Sequence, residues 1–70
     1  SSKLYIELTT TENPPVEVEQ QFVESIEATA IRTDNAKSVK SQIRESGALI
    51  TVEYQWGQIW MMLSLTFKWR

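Results

Sequence analysis

The chain of 70 residues contains no cysteine and no histidine, and only two glycines and two prolines. Without cysteine it can form no disulfide framework, zinc–thiolate cluster or thiol nucleophile. Without histidine it lacks the commonest general base and the commonest transition-metal ligand. Two glycines cannot supply a phosphate-binding loop, which needs three glycines or a Gly-Lys-Ser/Thr ending. These absences predict a protein that is not an enzyme, with no catalytic residues, no metal and no cofactor.

Long apolar runs are also missing. The most apolar stretch, residues 59–67, is interrupted by Ser64 and Thr66, and it is far shorter than the roughly 20 residues of a membrane-spanning helix. The first residues do not resemble a secretory signal peptide. We therefore expect no membrane association and a cytoplasmic location.

What is present is enough apolar content for a core, at 41 % of the chain, together with three tryptophans. That share is too high for a disordered chain, and the length fits a single small domain over residues 1–70. The formal net charge of −2 is too mild to indicate a particular partner.

Two elements are predicted in the first half of the chain. Residues 3–9 alternate, with Leu4, Ile6 and Leu8 on one face, which is typical of a half-buried strand. Residues 16–31 favour a helix, because one face collects the apolar side chains and the opposite face most of the glutamates and glutamines. The two prolines before residue 16 suit a loop that leads into this helix.

A second helix is predicted over residues 35–46. Thr33 and Asp34 provide a capping signal ahead of it. Apolar residues then follow at positions i, i+3 and i+7, and a glycine marks the end of the helix. These are Ala36, Val39, Ile43 and Gly47.

A C-terminal hairpin is predicted over residues 48–69. Both of its arms alternate between apolar and polar residues, and the turn falls at Trp56-Gly57. This turn pairs residue 54 with 59, 52 with 61 and 50 with 63, so both arms direct their apolar side chains to one face.

The expected fold is therefore α+β, in the order β-α-α-β-β: a small two-layer domain with two helices packed on one face of a three-stranded sheet. The last strand is the longest and most apolar, so we expect it at the centre of the sheet. The predicted strand order is 2-3-1, with a right-handed crossover.

The outer face of the hairpin is the main candidate for function. Trp60 and Met62 have the opposite parity to the core residues, and Trp56 lies at the predicted turn. Exposed tryptophan and methionine are typical of interface cores. The sequence therefore favours a non-catalytic protein-interaction or regulatory module, whose partner is another protein or a second copy of the chain. Binding would use this outer face or an edge strand.

A basic stripe offers a weaker alternative. On the predicted second helix, Lys37, Lys40 and Arg44 fall on one side, as a row of phosphate-binding cations would. The alternative function is a small nucleic-acid-binding regulatory domain. A solvated helix face explains the same three residues without any ligand.

Overall fold

The computed structural model describes residues 2–55 and 60–69, which form one helix and four strands. The strands are β1 (Ser2–Thr11), β2 (Ala36–Arg44), β3 (Gly47–Tyr54) and β4 (Trp60–Lys68), and the helix is α1 (Val16–Ile31). The order is β-α-β-β-β. The predicted fold, with two helices and a three-stranded sheet, is therefore wrong.

The strands form a single mixed sheet in the order β2-β3-β1-β4. β1 runs antiparallel to β3 and parallel to β4, and β2 runs antiparallel to β3. The last strand lies at an edge of this sheet, so its predicted central position is wrong, as is the predicted order.

The two N-terminal predictions are confirmed. The strand predicted over residues 3–9 lies within β1, and α1 has the bounds predicted for the first helix. The prolines do lead into this helix, since the Pro15 carbonyl accepts hydrogen bonds from the amides of Val18 and Glu19 at 3.0 and 3.1 Å.

The predicted second helix is a strand, β2, and a β-bulge explains the error. The pairing of β2 with β3 shifts between Ala36 and Ser38, which leaves Lys37 as the extra residue. The bulge brings Ala36 to the same face as Val39 and Ile43, so a strand reproduces the i, i+3, i+7 spacing of a helix.

The predicted capping signal instead belongs to the end of α1. The Thr33 hydroxyl donates to the Ala30 carbonyl at 2.7 Å, and Asn35 turns the chain with a φ of 67°. Gly47 does not end a helix either. It begins β3, where a Cβ atom would overlap the Leu8 carbonyl oxygen, so glycine permits the close approach of β1.

The predicted hairpin is split by β1. Ile50 pairs with Ile6 on one side of β1, and Leu63 pairs with Ile6 on the other. Residues 50 and 63 therefore share a row across the sheet, as predicted, but they are not neighbours. The predicted turn, with Trp56, lies outside the described residues.

The core lies between α1 and one face of the sheet, here called the helix face. Its buried side chains come from β1, α1 and β3, and they are Ile6, Leu8, Val23, Ala30, Ala48, Ile50, Val52 and Tyr54. α1 packs mainly against β2 and β3. It reaches β4 through Phe22, whose ring stacks on Phe67 with the centroids 4.8 Å apart. Within the described residues, no helix has the length and apolar character needed to cross a bilayer.

The different burial of the two neighbours of Ile6 gives a test of the edge position of β4. Ile50 is fully buried, whereas Leu63 is 47 % exposed. Ile50→Ala should lower the free energy of unfolding by about 2–5 kcal/mol. Leu63→Ala should lower it by about 1 kcal/mol, since only about half of its side chain leaves water. Chemical denaturation at low protein concentration measures both, and equal losses would contradict the edge position.

Candidate interaction surface at the edge of the sheet

Four consecutive large apolar side chains lie exposed at the start of β4. Trp60 is 74 % exposed, Met61 57 %, Met62 54 % and Leu63 47 %. We call these four residues the β4 surface. Single exposed apolar residues are common on proteins, whereas four in succession are not, so the β4 surface is the candidate interaction site of the described residues.

The β4 surface has two sides, because successive side chains of a strand point to opposite faces of the sheet. Met61 and Leu63 lie on the helix face, beside Leu4 and Ile6 of β1. They stay exposed there because α1 packs over the other half of the sheet.

Trp60 and Met62 lie on the opposite face, which α1 does not cover and which we call the open face. Lys3 lies beside Trp60, and Tyr5 lies beside Met62. Met62 also borders a concavity of about 340 Å³, which Gly47 lines as well. Its other lining residues include Glu7, Thr9, Arg44 and Leu49.

A second concavity, of about 260 Å³, lies between α1 and β4 on the helix face. It is lined by Val18, Gln21, Phe22, Ser25 and Phe67. The apolar side chains of β4 on this face are thus continuous with a groove that contains two phenylalanine rings.

The outer edge of β4 carries few of the usual protective features. In the described part of the chain no strand pairs with this edge. Native edge strands are commonly protected by charges, prolines, bulges or short length. β4 has nine residues, no proline and an unbroken register with β1, and its only charge is Lys68 at the far end.

The opposite edge of the sheet, β2, is protected in the usual way. It carries the bulge at Lys37, and its exposed residues include Lys37, Lys40 and Arg44. The three cations therefore lie on an edge strand and not along one side of a helix. Lys40 and Arg44 share the open face, while Lys37 occupies the bulge.

The structure brings together two of the three predicted partner-binding residues. Trp60 and Met62 lie two residues apart on the open face, as predicted, whereas Trp56 lies outside the described residues. Met61 and Leu63 were not predicted as site residues, because their parity assigned them to the core. The signal that identifies them is the run Trp-Met-Met-Leu, which is apolar at both parities of a strand.

The chemistry available to the β4 surface is that of contact and not of proton transfer, since its four side chains carry no ionisable group. Within the ranges 2–55 and 60–69, no three acidic side chains cluster as a metal site would require. Glu19 is buried in the first turn of α1, and its Oε2 accepts no hydrogen bond there. That atom lines neither of the two concavities.

Comparison with known proteins does not identify this surface. No protein family, no curated protein and no solved structure matches the chain.

The cations of β2 give a test of the difference between the two edges. If they protect β2, the triple change Lys37→Ser, Lys40→Thr and Arg44→Thr should produce large assemblies as the concentration rises. Light scattering measures this growth. Changing the same three residues to glutamate should keep the protein as well dispersed as the wild type, because charge of either sign blocks edge pairing.

Two results would contradict this role for the cations. One is that the neutral variant stays as well dispersed as the wild type. The other is that the wild type binds a generic oligonucleotide at low salt and the glutamate variant does not, which would support the nucleic-acid alternative.

Proposed function

We propose that this protein is a non-catalytic interaction module that binds a protein partner by strand addition at β4. The observation that supports this function is the exposure of four consecutive apolar side chains, on both faces of an unprotected edge strand. In strand addition, backbone hydrogen bonds to the free edge provide affinity, and alternate side chains provide specificity.

The two-sided exposure distinguishes strand addition from other ways of covering the β4 surface. A partner seated on the open face would contact Trp60 and Met62 but leave Met61 and Leu63 in water. A partner seated on the helix face would do the reverse. A strand beside β4 places side chains next to all four residues, because cross-strand neighbours lie on both faces.

The residue types of the β4 surface suit this function. Tryptophan and methionine are enriched in the buried centres of interfaces, and charged residues are depleted there. Tryptophan is also among the residues whose truncation most weakens binding. Trp60 is the most exposed large apolar residue of the four, so we expect it to contribute most to affinity.

The residues that suggested nucleic-acid binding do not form the predicted helix. The stripe of Lys37, Lys40 and Arg44 depended on a helix, and those residues form a strand whose cations are spread over a bulge and one face. The cytoplasmic location and the lack of enzymatic activity stay predictions from the sequence. Fractionation of the producing cells checks the location.

The two methionines of the chain allow a direct test of the proposed function. Both lie in the β4 surface, Met61 on the helix face and Met62 on the open face. Within these 70 residues, photo-methionine incorporated in the producing cells would therefore place a light-activated cross-linker only on β4. We expect illumination to join the chain covalently to a protein that lies against this strand. The product is identified by mass spectrometry.

Two variants that keep both methionines provide the controls. Trp60→Lys should remove the cross-linked product, because it places a charge where the partner strand packs. Ile31→Lys should keep the product, since Ile31 is 49 % exposed but lies at the end of α1, where a cation also suits the helix dipole. Lack of any product with the wild type, or an undiminished product with Trp60→Lys, would overturn the proposed function.

A further inference from the structure

We infer that the partner strand is β4 of a second copy of this chain, paired antiparallel about a two-fold axis between the two copies of Ser64. This inference rests on the proposed function, because it names the partner that binds at β4. It follows from the free edge of β4, from the pattern of residues along that strand, and from the contrast with β2.

The first requirement for such a pair is that the faces of the two sheets agree. In β4 the odd-numbered residues lie on the helix face and the even-numbered residues on the open face. A symmetric antiparallel pair centred on Ser64 places odd residues opposite odd ones and even opposite even. The two sheets then join into one continuous sheet, with both α1 helices on the same side.

This register also pairs the whole strand with itself. All nine residues of β4 find a partner, because Ser64 is the middle residue of Trp60–Lys68. A register centred on Met62 or on Thr66 would pair fewer of these nine residues and leave more of the free edge without hydrogen bonds.

The pairs on the helix face are apolar throughout. Leu63 lies opposite Leu65 of the second copy, and Met61 lies opposite Phe67 of the second copy. Phe67 lines the groove between α1 and β4, where it stacks on Phe22. A methionine side chain next to this groove suits an irregular apolar space and an aromatic edge.

The pairs on the open face are compatible with one another as well. Trp60 lies opposite Lys68 of the second copy, which allows a cation–π contact. Met62 lies opposite Thr66, and Ser64 opposite Ser64. The two copies of Lys68, the only charges in β4, lie at opposite ends of the pair, roughly 26 Å apart. No like charges face each other.

The contrast between the two edges favours a second β4 over β2 as the partner strand. β2 contains a bulge, which interrupts a regular ladder, and three cations whose burial against Trp60 and its neighbours would be costly. Pairing of β4 with β2 would also leave a free edge at each end and continue into a fibre.

The chain contains no cysteine, so single cysteines on the open face of β4 can report this register. The variants are Met62→Cys, Ser64→Cys and Thr66→Cys, all at exposed positions. In the inferred pair, two cysteines at position 64 face each other at about 5 Å, within reach of a disulfide. Two at position 62, or two at 66, lie about 14 Å apart, beyond that reach.

We expect sedimentation of the wild type to show a mass that rises with concentration from 8.1 kDa towards twice that value. Under mild oxidation, Ser64→Cys should form the covalent dimer on the order of tenfold faster than the other two variants, because thiols held together react at a high effective concentration. Faster cross-linking at position 62 or 66 would overturn the register. Equal rates at all three positions would overturn the antiparallel pair.

A chain that stays at the monomer mass at all concentrations would overturn the second copy as partner. Photo-methionine cross-linking then separates the two proposals. A product that contains a different protein, and that Trp60→Lys removes, would leave the proposed function in place. The lack of any cross-linked product would contradict both the proposed function and the inferred partner.

Discussion

A single helix has to cover one face of a four-stranded sheet, and it is too narrow to do so. An α-helix with its side chains is about 10 Å across, whereas the outer strands of such a sheet lie about 14 Å apart, before their side chains are counted. α1 packs mainly over β2 and β3, where the most deeply buried side chains, such as Ile50 and Val52, lie. The exposure of Met61 and Leu63 follows from this mismatch, and so does the two-sided apolar character of β4.

The sequence pattern determines which residues share a face and a row of the sheet, but not which strands are neighbours. The predicted hairpin register placed Ile50 opposite Leu63. In the structure these two residues still lie in one row across the sheet, but β1 lies between their strands. The alternation of apolar and polar residues does not show whether another strand lies between two predicted neighbours. Here Ile6 of β1 occupies the same row, so the alternation is the same with β1 between them or without it. The strand at residues 3–9 and the helix at residues 16–31 were predictable, since each depends on its own local periodicity.

The predicted helix at residues 35–46 failed for a different reason. A bulge adds one residue to a strand, and the added residue, Lys37, converted strand spacing into helix spacing between Ala36 and Val39. The candidate site was predictable in part. Parity identified Trp60 and Met62 as outward-facing, but it assigned Met61 to the core, because a sequence does not show how far a helix extends over a sheet.

The two edges of the sheet differ in how well each could accept a further strand. Cations and a bulge make β2 a poor template for further strands, while β4 combines apolar side chains with an unbroken ladder. In the proposed pair, each copy uses its one unprotected edge, and both ends of the continuous sheet are then β2. Growth of this proposed assembly would stop at two copies, because an isologous contact uses the same surface on each copy and leaves none free. In the proposed pair, the basic residues that first suggested a ligand would have a simpler role, which is to limit the assembly that begins at β4.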